Sequence, residues 1–405
     1  MSGSDVEVVI VGGGAAGIAA ARTLRDAGVD ALIVEARQRL GGRAWTIATP
    51  DGFPIDLGCG WLHSADRNPW RQIGEKAGYA IDQTPPPWSR PVAPIGTLPR
   101  DQAAIGEAIG AFRGRLAEFP ESEFDRPAAA LLEPGGRWNG VIDAVSTFYS
   151  GAELEHISVR DLARYEDTGV NWRVAEGYGT VVADHAAGLP AKLNCMVRRI
   201  DRRGKRLRIE TTEGDIAADA AIMTLSSNLI AANESLFLPT VPEKTAAAAG
   251  LPLGLADKLF LSLDGADEFK TESRTFGRTD RVETAAYHFK PFGRPEIEAY
   301  FGGKLAAELE AGGEAAFFDF AVAELVHLYG SGFAGRVRPL GFHAWGSDPF
   351  ALGSYSYAVP GRADDVPPSR ASWMAGCSSP ARPARPPNTP PPMAPIGLAL
   401  SPPGR

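Results

Sequence analysis

Apolar positions near the start of the chain fall in two short blocks. Positions 6–11 read Val-Glu-Val-Val-Ile-Val and positions 31–34 read Ala-Leu-Ile-Val. Such β-branched runs suit strands covered on both faces. Between them an alanine-rich stretch predicts a helix running to Ala27, and Gly28 stands where a helix is usually closed. Three further apolar runs, at 196–200, 207–211 and 218–223, are separated by Arg203-Gly204 and Glu213-Gly214, which predicts a β-meander. Positions 105–119 have a helical pattern. Over 254–263, Leu259, Leu261 and Leu263 alternate with Lys258 and Phe260, predicting a strand with the lysine and the phenylalanine on one face. No apolar run is long enough to cross a bilayer.

The chain has 405 residues, more than one ordinary core accommodates, so two interleaved domains are expected. Its 41 Lys and Arg against 49 Asp and Glu leave a net charge of −8, the wrong sign for a nucleic-acid binder and compatible with a cationic substrate. Three cysteines, Cys59, Cys195 and Cys377, are far apart, and their spacing makes neither a disulfide framework nor a metal site. With an N-terminus that lacks a basic leader, this predicts a cytoplasmic protein.

The strongest chemical signal lies between the first two apolar blocks. Gly12, Gly14 and Gly17 form Gly-x-Gly-x-x-Gly directly after the predicted strand, Ala15 and Ala16 open the helix, and Glu35 ends the second strand. Gly12 allows a tight turn, Gly14 a close approach of backbone to a pyrophosphate, and Gly17 close packing of helix on sheet. The helix N-terminus favours phosphate, and the acid can accept hydrogen bonds from ribose hydroxyls. These features predict a Rossmann-like site without choosing between NAD and FAD.

The next residues make that choice. Arg39-Leu40-Gly41-Gly42-Arg43, followed by Asp56-Leu57-Gly58-Cys59-Gly60-Trp61, resembles the flavin-containing amine oxidase family of monoamine and polyamine oxidases. The resemblance implies FAD, with Gly42 and Arg43 along its pyrophosphate or flavin and Gly58, Cys59, Gly60 and Trp61 beside the flavin. It gives Val197 a backbone contact to the adenine, although a plain core role serves that residue equally. Asp167 to Trp172 and Gly177-Tyr178-Gly179 also recur in bacterial members. Lys258 matches a lysine that holds a water at flavin N5 and promotes reoxidation; read from the strand alone, it would be a solvent-facing lysine. Trp345 to Pro349 and Gly353 to Ser356 are a second landmark, in which Tyr355 matches an aromatic wall of the amine cage. Ser354 stands where some relatives carry a flavin-linked cysteine, so non-covalent FAD is expected. His63 matches a substrate contact of some polyamine oxidases, against a default of a satisfied buried histidine. Trp345 is equally a core residue.

The resulting expectation is an α/β protein, with a Rossmann-like FAD-binding domain (residues 1–85, 186–249 and 341–365) interleaved with an α+β substrate domain (86–185 and 250–340). It would oxidise a small-molecule amine with O2, releasing peroxide, without nucleic acid, membrane or metal. A flavin desaturase or oxidase of the same fold is the alternative.

The resemblance stops near residue 365. Residues 366–405 hold 12 prolines and no acid, predicting a disordered tail unable to form a sheet edge. The family's Phe-Ala-Gly-Glu-Ala strand and the His-Gly-Ala before its last helix are missing. Back-translation of Trp373 to Pro383 and of Pro392 to Ile396, read two bases later, permits both motifs in one frame. Two readings follow: a frameshift, with Cys377 its by-product and poor folding, weak FAD binding or inactivity its consequence, or a natural Pro-rich tail on a divergent protein.

Overall fold

The computed structural model describes residues 4–90, 99–365 and 398–400. The first apolar block forms β1 (Ser4–Val11), followed by α1 (Ala15–Asp26) and β2 (Ala31–Val34). Gly28 has φ +75°, the left-handed turn expected after this helix. The sheet continues with β3 (Ala191–Lys192), β4 (Val197–Asp201), β5 (Leu207–Thr211), β6 (Gly214–Met223) and β7 (Phe237–Leu238). Strand order is β7-β4-β5-β6-β1-β2-β3. The segment β6-β1-β2-β3 is parallel, while β4, β5 and β6 form the expected antiparallel meander. Val9, Ile10 and Ile33 are fully buried on its two faces, with Ile18 of α1 packed against one of them, which explains why positions 8–11 and 31–34 are apolar throughout.

A second, antiparallel sheet consists of β8 (Ala256–Leu263), β9 (Ser273–Phe276), β10 (Ala286–Phe289), β11 (Glu296–Gly302) and β12 (Val337–Phe342). Its order is β9-β10-β11-β8-β12, which makes β8 a central strand. Leu259, Leu261, Tyr287, Phe289, Ile297 and Ala299 pack with α2 (Gly303–Glu310) and α3 (Gly313–Tyr329). Lys258, Phe260, Glu298, Tyr300 and His288 share the opposite face through the cross-strand register.

The expected helix at 105–119 is Pro99–Ala117. Most of the tail, including Cys377, lies outside the described residues. Leu398–Leu400 do not fit the reading of that tail as unable to join a sheet: as β13 they pair antiparallel with Ala221 to Met223 of β6. The triplet carries no proline, so every residue has an N–H to give to a ladder. Among the described residues no helix is long and apolar enough to cross a membrane, and no cluster of His, Cys, Asp and Glu suits a metal ion.

Candidate functional site

The glycine turn after β1 is shaped by contacts that leave no room for side chains. Gly12 has φ +108°, and a Cβ there would lie 2.6 Å from Thr224 Oγ1, a hydroxyl that donates within reach of the Val11 and Gly12 carbonyls. A Cβ on Gly17 would lie 1.9 Å from the Gly12 carbonyl oxygen, so α1 packs against the turn itself. Gly14 caps α1 without a side chain, and the first turn, with Ala15 and Ala16, holds no acid. A Cβ on Gly14 would meet only Gly42 Cα, at 3.8 Å. The backbone donors there face open space bounded by a second glycine loop, which bridges to the first at Gly41 and turns with φ +100° and +60° at Gly41 and Gly42. An uncapped helix start in a glycine cradle is suited to a diphosphate.

Glu35 is buried beside this cradle. Its carboxylate accepts from Gly13 N at 2.6 Å and Arg37 N at 2.8 Å, which leaves lone pairs for a ribose. Cys195 N donates to Glu35 O at 2.9 Å, and half-buried Val197, two residues beyond Cys195, starts β4 while packing on the sheet core. Arg37 pairs with Asp348 at 2.6 Å. Asp348 also takes His343 Nε2 at 2.7 Å and Phe350 N at 2.8 Å, which fastens the segment around residues 343–350 to the nucleotide loop. Asp348 lies within the second landmark, but nothing in its sequence surroundings points to Arg37 as its partner.

Five of the predicted residues from three distant segments, Arg43, Gly58, Cys59, Lys258 and Tyr355, line one cavity, with Trp345 and Ser354 beside them. Arg43 donates to the Ser354 carbonyl, and burial pulls its guanidinium down to about 10. Gly58 is enclosed, since a Cβ would lie 1.8 Å from Arg43 O and 3.0 Å from the Trp345 ring. Trp345 Nε1 donates to Leu57 O at 3.0 Å, which makes it a buried clamp on this loop. Ser354 Oγ donates to Ala256 O at 2.8 Å. Cys59 is buried on the cavity wall. Cys195 is a free, buried cysteine.

Lys258 does not face solvent. It is 5% exposed, with Nζ 2.9 Å from Glu298 Oε1 and 3.0 Å from Asp56 O. A Cβ on Gly60 would come within 3.2 Å of that nitrogen. Burial opposes the charge, but Glu298, Tyr355 and Asp56 outweigh it and hold the ammonium above its ordinary pKa. Burial pushes the Tyr355 hydroxyl up. Gly60 and Trp61 line a neighbouring cavity with Glu298 and Arg173. Trp61 meets Trp88 edge-on at 4.5 Å and carries the Arg173 guanidinium over its face at 4.8 Å. His63 is satisfied by Asn171 Oδ1 at 2.6 Å, and burial lowers its pKa.

The sequence reading missed the acids of β11. Glu296, 2% exposed, has neither oxygen bonded by the described residues, and burial pushes its carboxyl up to about 7. An unfolded carboxyl titrates near ~4.3. Between the two values the folded chain holds the extra proton, so this group raises stability as pH falls across the window and costs stability above it. Glu296→Gln is accordingly expected to raise the melting temperature at pH 8, with the gain fading towards pH 5. An equal change at both pH values would dismiss the buried-charge account.

A sequence family described as flavin containing amine oxidoreductase matches residues 15–381. Polyamine oxidase 2 of Arabidopsis thaliana is 26% identical over 395 residues, covering 89% of this chain and 79% of the relative. Polyamine oxidase 3 of Oryza sativa subsp. japonica is 27% identical over 392 residues, covering 88% and 80%. A solved putrescine oxidase variant, redesigned in cofactor binding, superposes with a TM-score of 0.66 at 17% identity over 89% of this chain and 90% of its own.

Proposed function

Because the chain belongs to the flavin containing amine oxidoreductases, FAD-dependent enzymes that oxidise amines, we propose that molecular oxygen is its electron acceptor and hydrogen peroxide its co-product. The observation that carries this reading is the buried ammonium of Lys258 on the wall shared with Arg43, Gly58 and Tyr355. Overall, an amine with hydrogens on nitrogen and on the carbon beside it loses two electrons and two protons to become an imine, and O2 takes up the same two electrons and two protons. Water then releases the carbonyl compound, and O2 leaves as H2O2.

The residues present fit FAD, which supplies the two-electron acceptance when bound. The first turn of α1 and the Gly41-Gly42 loop would hold its diphosphate, Glu35 its ribose, and Arg43 with the Gly58 to Trp61 loop its other end. The absence of a thiol at Ser354 supports non-covalent binding. Lys258 places a fixed positive charge where negative charge develops on oxygen. The same charge disfavours a protonated amine beside it, so the substrate nitrogen is held there as the free base. Tyr355 presents an aromatic wall to that amine.

The relatives named above direct the first substrates to putrescine and longer polyamines. Purified protein is expected to be yellow, to bleach when an amine is added without air, and to release peroxide when air returns. A second reading has residues 366–405 replacing a flavin-closing segment through a shifted frame, and is supported by their 12 prolines. Flavin-free protein that becomes yellow and active once the gene is resequenced and its frame restored would establish it. Bleaching without peroxide, with electrons passing only to a dye, would rule out oxygen as acceptor. A cytoplasmic location stays part of the proposal, and cell fractionation decides.

A further inference from the structure

Behind Lys258 lies a line of buried charges for which amine oxidation has no evident need. Asp82 contacts Arg173 at 2.7 Å, Arg173 contacts Glu272 at 2.6 Å, and Glu272 contacts His288 Nε2 at 2.6 Å. His288 Nδ1 then faces Glu298 at 3.4 Å, and Glu298 contacts Lys258 at 2.9 Å. Five contacts join six groups of alternating sign, from the partly exposed Asp82 side chain to the cavity wall. Glu272, His288, Glu298 and Lys258 are each less than 10% exposed.

His288 is the hinge of the line. Both of its ring nitrogens face carboxylate oxygens. A neutral imidazole has one N–H, and its other nitrogen would set a lone pair against a carboxylate; only the imidazolium donates on both sides. Burial opposes that charge, yet Glu272 and Glu298 raise the pKa above the ordinary histidine value. Across the register of β9 and β10 stands Arg274, a cation that opposes it, while Tyr287 and Phe289 point to the other face of the sheet.

In a dry setting a carboxylate and an ammonium can lower their cost by passing the proton across and becoming neutral. A cation behind the carboxylate opposes this, because it stabilises Glu298 as an anion more than it disturbs the more distant Lys258. We propose that His288 is a positioning residue for Lys258: its imidazolium keeps the Glu298–Lys258 pair ionised, so that the group facing the flavin side of the cavity stays an ammonium. The inference rests on the role given to Lys258 above and adds what sustains it.

The test uses the FAD-loaded enzyme with His288→Asn, His288→Lys, Lys258→Met and the double variant His288→Asn/Lys258→Met. His288→Asn is expected to slow reoxidation by oxygen about tenfold at pH 8, with recovery towards pH 6, and to lower the FAD midpoint potential in the direction set by Lys258→Met. His288→Lys restores most of both. In the Lys258→Met background the histidine change adds nothing, because its effect passes through the lysine. A further readout needs no flavin. A histidine with a raised folded pKa stabilises fully below its unfolded value near ~6.5 and loses that contribution as pH rises towards the folded value. The melting gap between wild type and His288→Asn should therefore shrink from pH 6 upward. Normal reoxidation in Lys258→Met would remove the oxygen role of the lysine, and the two potentials would still judge His288. Slow Lys258→Met beside His288→Asn with an unaltered rate, potential and pH profile overturns the present inference alone. A melting gap that does not vary with pH also overturns it.

Discussion

Lys258→Met slows the return of electrons to oxygen by about 10²–10³-fold, the cost of removing one preorganised stabiliser of developing charge, while amine-driven bleaching stays within a few-fold. The two half-reactions differ in size because the oxygen step builds negative charge beside this nitrogen, whereas flavin reduction and the neutral amine feel the ammonium more weakly. Methionine keeps the length and much of the volume of the lysine stem. The Asp56 carbonyl loses its donor, and Glu298 keeps His288 as its counter-ion, so the chain is expected to fold with reduced stability. Stopped-flow traces with reduced protein and dissolved oxygen measure the effect. Equal oxygen rates in the variant and the parent would mean that the ammonium has no share in the oxygen reaction.

Gly17→Val is expected to leave a protein without bound FAD. The first new carbon would lie 1.9 Å from the Gly12 carbonyl oxygen and 3.1 Å from Thr224 Oγ1, and neither neighbour can withdraw. Gly12 is fixed by its hydrogen bond to Val34 O at 2.9 Å, and Thr224 Oγ1 holds the two carbonyls of the turn. Helix α1 must therefore lift from the sheet, which takes its first-turn donors away from the diphosphate position and strains Ile18, which is fully buried. Overpacking of this kind costs about 1–3 kcal/mol or more. The ratio of flavin to protein absorbance after gel filtration, read with the melting temperature, gives the answer. A fully flavinylated variant that melts like the parent would show that the tight turn is dispensable.

The nucleotide half was legible because local rules and tertiary demand agree there. Positions 31–34 are apolar throughout because both faces of the sheet are covered there, and 207–211 alternate because one face is. Strand β6 begins at Gly214, four residues before the expected start, because pairing with β5 recruits Asp215, Ile216 and Ala217; polar residues near a turn carry no such signal. The second sheet was legible at Lys258, where a lysine interrupts an apolar run. His288, Glu298 and Arg173 were not. The order Glu296-Ile297-Glu298-Ala299-Tyr300 reads as a strand with a wet face. What dries that face is contributed by the Asp56 to Trp61 loop and by Arg173, over a hundred residues away in sequence. Chemistry that depends on such coverage exists only after folding, and no local pattern announces it.

The Arg37–Asp348 contact makes the two ends of the cofactor groove a single mechanical unit. Residue 37 follows the acid that would grip the sugar, and residue 348 belongs to the stretch leading to Tyr355. A tug on either is transmitted through a guanidinium–carboxylate strut only 2.6 Å long. On the proposed binding of FAD, adenosine settling at one end would lower the entropy still to be lost in ordering the aromatic wall at the other.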